Sequence, residues 1–207
     1  MSDNIFNKGV TLYGAGGHCK VVMDILEANN LNTLRVHDDN PKSDSFLGVP
    51  LSLPSGSYDK AIVTIGDCQI RKKIVERIKV DHYINIVHPF SCVSKNAILG
   101  EGSVVMQGGI IQSGSKIGKH CIINTKASVD HDCNIGDFVH VASGATLCGE
   151  VEVGECSWIG AGAVVKQCIK IGRNCMIGAG AVIIRDVPDD AVVVGNPGRI
   201  IAVNPQK

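Results

Sequence analysis

Between Val93 and Ile183 an aliphatic residue returns at every sixth position. The series runs Val93, Leu99, Val105, Ile111, Ile117, Ile123, Val129, Ile135, Val141, Leu147, Val153, Ile159, Val165, Ile171, Ile177, Ile183, sixteen consecutive hits. A period of six fits no α-helix but suits a short strand followed by a turn. Positions two apart on a strand share a face, so the small residues two places before many of these aliphatics point inward beside them. Ala97, Ser115, Cys121, Ala127, Cys133, Ala145 and Cys175 are such residues. A longer period overlies the first: Gly100, Gly118, Gly136, Gly154 and Gly172 follow every third aliphatic, eighteen apart. Three hexapeptides therefore make one coil of a three-sided prism, and about five coils stack into a parallel β-helix.

The eighteen-residue period sorts the outward positions into columns. One corner, Glu101, Lys119, Asp137, Glu155 and Arg173, is charged and reads as solvated. Another carries Gln107, Thr125, Ser143, Ala161 and Ala179, followed by Gly108, Lys126, Gly144, Gly162 and Gly180. Its small residues leave the backbone open to close approach by a ligand or another chain. A third column, Val104, Ile122, His140, Trp158 and Met176, is apolar at four of five positions. An outward apolar stripe predicts a subunit interface or a ligand wall, and a prism with one such edge closes most simply as a ring.

The beat is absent upstream, where strand and helix patterns alternate. The sequence predicts strands at 9–13, 34–37 and 61–65 and helices over 20–30 and 70–78. In such a β-α-β layout ligands bind at the carboxyl ends of the strands. The clusters GAGGH (14–18), Asp38-Asp39 and Gly66-Asp67 all fall there. The dinucleotide fingerprint GxGxxG is broken by Cys19, which argues against a redox cofactor. Backbone N–H groups at the turn suit a phosphate, and an acid after the next strand suits a ribose or base edge. The chain thus divides into residues 1–84, an α/β Rossmann-like domain, and 85–207, the β-helix.

Composition narrows the partners. Lys+Arg and Asp+Glu are both 20, giving zero formal charge and no basic excess for nucleic acid or an acidic membrane. No apolar run approaches the roughly 18 residues of a membrane span, and the opening MSDNIFNKGV lacks a signal-peptide layout. Nine cysteines without CxxC spacing read as reduced thiols of a cytoplasmic protein, several of them packed in the core.

The segments YGAGGHCKVV, SVDHDCNIGDFVHVASGATLCGEVEVGECSWIGAGAVV and VVVGNPGRII together resemble the bacterial nucleotide-sugar acetyltransferases with hexapeptide repeats. These include the bacillosamine and perosamine N-acetyltransferases and the sialic acid O-acetyltransferase-like proteins. The resemblance covers essentially the whole chain. It implies a left-handed β-helix, a homotrimer with active sites between subunits, acetyl-CoA as donor, and a nucleotide-linked amino sugar of surface-glycan synthesis as acceptor, usually at a 4-amino group. It also implies residue roles: His131 as general base and Asp132 as the acid that raises its basicity, where many relatives carry Glu. His140, Gly149, Ala161 and Ala179 correspond to acetyl-CoA contacts. Gly16, Gly17, His18, Asp38, Asp39 and Gly66 correspond to nucleotide-sugar contacts.

The chemistry agrees from below. Acetyl transfer to an amine needs a base that works at neutral pH, and imidazole suits that task. His131 falls on a corner two residues after inward Val129, and Gly149 occupies the same position one coil on, roughly 4.8 Å away. The Gly149 N–H is a candidate oxyanion donor. His131 and His140 fall on different edges of the prism, so they meet in one site only across a subunit boundary. A zinc hydratase of the same fold is the rival enzyme class. His120, His131 and His140 are spaced eleven and nine apart with no histidine after them, which does not read as an open three-histidine site, so no metal is expected. Two further readings compete with an N-acetyltransferase: a sugar O-acetyltransferase and a non-catalytic nucleotide-sugar-binding trimer.

Overall fold

The computed structural model describes residues 9–203; residues 1–8, which hold most of the MSDNIFNKGV segment, lie outside them. The first domain is a six-stranded sheet in the order β3-β4-β2-β1-β5-β6. Its strands are β1 (Val10–Tyr13), β2 (Thr33–His37), β3 (Ser45–Phe46), β4 (Val49–Ser52), β5 (Ser57–Val63) and β6 (Lys79–Tyr83), with helices α1 (Gly17–Ala28) and α2 (Cys68–Arg77). All pairings are parallel except the β3–β4 hairpin. β1 is buried along its whole length, Thr11 included, as a central parallel strand requires. Helix α1 buries Cys19, Val22, Ile25 and Leu26, and α2 starts where the Asp67 carboxylate accepts the Ile70 N–H at 2.8 Å.

Every element read from the sequence is present with shifted ends. Two further pieces, the β3–β4 hairpin and β6, carry no periodic signal: strands of two and four residues are too short for one, and β6 is a largely polar edge strand.

From Ile86 onward the chain winds as a parallel β-solenoid with three faces. The inner residue of each two-residue strand is the aliphatic of the six-residue beat, and Val105, Ile123, Val141, Ile159 and Ile177 are all buried. The second face has six strands, from Cys92–Val93 to Val182–Ile183, one coil more than the glycine column suggests. The last coil is short: Val187 pairs with Ile171 only sixteen positions earlier, so Pro188 stands where another glycine belongs and Asp189 packs on Gly172. The glycine column is a packing requirement. A Cβ on Gly100 would stand 2.5 Å from the Gly118 carbonyl carbon, and one on Gly154 would stand 2.6 Å from that of Gly172.

The inward small residues do more than fill space. Ser103, Ser115 and Ser157 donate Oγ–H to a carbonyl fifteen residues on and accept from the amide eighteen residues on. Cys121 and Cys133 send Sγ–H to carbonyls in the same way. No described helix is long and apolar enough to cross a membrane.

The apolar stripe on the first face needs a correction. Val104 and Ile122 are buried beneath this chain's own first domain, in one cluster with Val22, Ile25 and Leu26 of α1. The sequence shows an apolar outward column but not what covers it, and α1 covers its first half. The corner read as solvated is also partly covered. α2 lies on it, with Lys72 Nζ 2.7 Å from Glu155 Oε1 and Gln69 bonded to Asn174. One position further on, Phe138 and Cys156 pack beneath Cys68.

Candidate active site

His131 sits on the corner between the second and third faces, after strand Ser128–Val129 and before Asn134–Ile135. Its N–H donates to Asp130 Oδ1 at 2.8 Å, and Nδ1 lies 2.9 Å from Asp132 Oδ2. Asp132 makes that contact from a left-handed conformation, φ 57°, which short polar side chains tolerate. The backbone thus turns the carboxylate back onto its neighbour's ring, and the one-carbon arm of Asp suffices. A carboxylate accepts only, so Nδ1 carries the proton and Nε2 is the basic nitrogen. The bond to Asp132 and then the Asp130 charge raise the His131 pKa.

Two glycines make room for the pair. A Cβ on Gly149, one coil up, would lie 2.6 Å from His131 Nε2, and a Cβ on Gly114, one coil down, would lie 2.2 Å from Asp132 Oδ1. The imidazole therefore rests against the Gly149 backbone. Among the described residues the Gly149 N–H has no protein acceptor.

His140 lies elsewhere, on the first face under the first domain, and is 4 % exposed. Its Nδ1 is 3.1 Å from the Gly66 carbonyl, its Nε2 is 3.0 Å from Asn124 Nδ2, and its ring lies 4.0 Å from that of Trp158. Burial pushes its pKa down to about 4, so the imidazole is neutral. In this chain it faces the loop after β5.

The carboxyl ends of β1, β2 and β5 gather the remaining motif residues. Asp38 is committed to the backbone, its oxygens accepting from Ala15 N–H at 2.7 Å and Asn40 N–H at 2.9 Å. Asp39 accepts from Tyr13 Oη at 2.6 Å and from Arg77, which also donates to Tyr13 Oη. Beside them, a Cβ on Gly16 or Gly17 would meet nothing within 4 Å, so the first turn of α1 is open to a ligand. His18 follows. Its buried Nε2 has no partner among the described residues. Burial, then the neighbouring His140 and Arg71, push its pKa to about 3.

Ala161 and Ala179 stand on the third corner, each before a glycine with φ near 66°. A Cβ on Gly162 or Gly180 would likewise meet open space. Within one chain, then, the structure joins His131, Asp132 and Gly149 at one corner, and joins Gly66, His18 and His140 at the first face. It does not bring the two groups together, because the His131 corner is opposite the first face of the prism. A groove of about 680 Å³ on the third face holds the pair Lys170–Glu152 and contains none of these residues. No group of three His, Cys, Asp or Glu that could hold a metal lies among the described residues.

Sequence reasoning missed Arg71 and Asn124. Arg71 shares a buried helical stripe with Cys68 and Ile74, three residues away on either side, while Ile70 is 51 % exposed. A charged residue on the buried stripe is a signal that apolar periodicity alone passes over.

Residues 9–78 match the PglD N-terminal domain family, and residues 150–185 match the bacterial transferase hexapeptide (six repeats) family. The chain is 38% identical over 114 residues to UDP-N-acetylbacillosamine N-acetyltransferase of Bacillus subtilis. That match spans 48% of this chain and 51% of the relative, about half the length of each. Solved structures match more fully. One is a mutant of perosamine N-acetyltransferase from Caulobacter crescentus in complex with CoA and GDP-perosamine: TM-score 0.89, 35% identity, 95% of this chain and 98% of that one. Another is the acetyltransferase domain of PglB from Neisseria gonorrhoeae in complex with acetyl coenzyme A: TM-score 0.85, 36% identity, 94% and 100%.

Proposed function

Because the chain belongs to the PglD-type nucleotide-sugar N-acetyltransferases with hexapeptide repeats, we propose that it transfers the acetyl group of acetyl-CoA to a nucleotide-linked amino sugar. The acceptor in this reading is the 4-amino group of a dideoxy sugar destined for a bacterial surface glycan. The observation that carries it is the His131–Asp132 pair on an open corner beneath Gly149. A base with a defined basic nitrogen stands next to a backbone donor that has no partner among the described residues.

The amine nitrogen attacks the thioester carbonyl carbon while His131 Nε2 takes its proton. As the C–N bond forms, the carbonyl electron pair moves onto oxygen, where the Gly149 N–H donates to it. One such donor is worth about 2.7–4 kcal/mol when aligned. The C–S bond then breaks, and the thiolate leaves with the proton returned from the imidazolium. Asp132 holds the ring in the Nδ1–H tautomer throughout and stabilises its charged form. Gly16, Gly17, His18 and Gly66 form the acceptor-sugar side, with Asp38 and Asp39 shaping it from behind. His140, Ala161 and Ala179 belong to the donor side.

The assembly we propose is a homotrimer whose sites lie between neighbours. Its support is the placement of His131 on the edge opposite the first domain, which leaves base and acceptor loops apart in a single chain. The nine cysteines, none in a disulfide, suit the reducing cytoplasm where acetyl-CoA is available.

The test is a panel of nucleotide-linked 4-amino sugars and their hydroxyl counterparts, incubated with acetyl-CoA and followed by thiol release. Turnover on an amino sugar is the expected result. Turnover on hydroxyl sugars alone makes the protein an O-acetyltransferase, and sugar binding with no thiol release makes it a binding protein.

A further inference from the structure

Arg71, 1 % exposed, heads the fully buried side chains by size. Its guanidinium has no carboxylate partner among the described residues and donates instead to four main-chain carbonyls. Nε donates to His120 O at 2.9 Å and Nη2 to Phe138 O at 2.6 Å, equivalent positions on successive coils. Nη1 donates to Ile65 O and Gly66 O, both at 2.8 Å. One planar fork thus ties two rungs of the solenoid to the loop at the carboxyl end of β5. Burying a charge without a counter-charge is costly, and a side chain needed only for packing would be apolar.

The Gly66 carbonyl accepts from both Arg71 Nη1 and His140 Nδ1, which uses both its lone pairs. A carbonyl only accepts, so His140 carries its proton on Nδ1 and leaves Nε2 to accept from Asn124. We infer that Arg71 is a positioning residue, which pins the Gly66 carbonyl and thereby fixes both the acceptor-side loop and the tautomer of His140. The catalytic half of this inference rests on the proposed acetyl transfer; the tautomer half does not.

The experiment compares Arg71→Lys and Arg71→Met with wild type and with Lys72→Ala, a surface pair on the same helix. Steady-state kinetics for both substrates is combined with 15N NMR of histidine-labelled protein. Trp158, the only tryptophan, lies against His140 and gives a fluorescence reading of the same junction. The expected result is a fall of about 10- to 100-fold in kcat/KM for the nucleotide sugar, since small misplacements cost that much. KM for acetyl-CoA rises as well in this outcome, since His140 belongs to the proposed donor side, and the His140 signals move from one fixed tautomer to an average of two. Lys72→Ala leaves all three readings at wild type. The inference is overturned if Arg71→Lys keeps wild-type kinetics and tautomer. It is equally overturned if activity falls only with the folded fraction while the tautomer stays fixed. Should Arg71→Met not fold, Arg71→Lys decides. A wild type inactive on every sugar sinks the proposed transfer, yet the NMR comparison still decides whether Arg71 holds His140.

Discussion

At the scale of the residue, the proposed chemistry turns on one imidazole and the two groups touching it. His131 is exposed, so His131→Ala should leave the melting temperature unchanged while lowering kcat by on the order of 10²–10⁴-fold. Its raised pKa sets the sign of the pH profile. The neutral ring is the base, so kcat/KM for the sugar should climb with pH along a limb lying above the usual 6.5. Asp132→Asn removes the largest cause of that rise and should move the limb to lower pH with a smaller plateau. A limb that stays in place in Asp132→Asn would show that the carboxylate does not tune the base. Gly149 offers a separate handle. Alanine there keeps the N–H but puts a methyl where the imidazole lies, 2.6 Å from Nε2. An exposed ring can swing away, so Gly149→Ala should fold normally and still lose about tenfold or more in kcat. Gly149→Pro removes the N–H itself; full turnover in that variant would rule out the oxyanion role. Counting in eighteens from His131 reaches Gly149 in the sequence, but only the coordinates reveal that the ring occupies the missing side chain's place.

At the scale of the element, glycine serves two different ends in the same solenoid. In the column Gly100 to Gly172 the next coil is too close for any side chain; a Cβ on Gly118 would lie 2.7 Å from the Gly136 carbonyl carbon. Gly144 has open space, and only its φ of 67° favours glycine. Gly144→Ala should therefore cost about 1–2 kcal/mol. Gly118→Ala would have to displace backbone as well as the Asp137 carboxylate and should cost about 3 kcal/mol or more. Urea midpoints of the two variants check this, and equal losses would mean the column is held by conformation rather than contact. Both columns were legible as periods, since a repeat imposes the same spatial constraint every eighteen residues. The α/β elements were legible wherever apolar spacing ran for several residues, as in α1. The β3–β4 hairpin and β6 were not, because edge strands bury little and their pairing is settled by neighbours distant in sequence. The docking of α1 and α2 onto the solenoid was equally silent: Arg71 finds its acceptors 49 and 67 residues away, and no local pattern encodes that distance.

At the scale of the whole molecule, the seam between the domains is a concentration of neutral histidines. His140 and His120 are pushed down to about 4 and His18 to about 3, with burial as the leading cause for each. Glu101 and Asp137 oppose the shift at His120 without reversing it. A histidine depressed in the folded state takes up its proton first in the unfolded chain. Stability is then full above about pH 6.5 and falls as pH drops toward 4, at about 1.4 kcal/mol per pH unit for each imidazole. Melting temperatures across pH 5–7.5 check this, and His120→Asn should flatten the slope by one proton's worth. The same seam decides how the site is assembled. Because the first domain covers the first face, its loops at the carboxyl ends of the strands look away from the His131 corner of their own chain, and in the proposed assembly a neighbouring copy supplies the base. The apolar column in the sequence pointed to a partner, but α1 takes half of that role within the chain, so the case for oligomerisation now rests on the separation of His131 from Gly16 and Gly66. Two separately inactive variants test it. His131→Ala lacks the base, while Gly16→Phe puts a ring into space that is empty within 4 Å and so blocks the acceptor turn without disturbing the core. Co-expressed at equal levels and assembled at random, they should place an intact base beside an intact acceptor domain in about a quarter of inter-subunit sites. Recovery of about a quarter of wild-type activity is the outcome a shared site demands. If each chain holds its own complete site, mixing restores nothing.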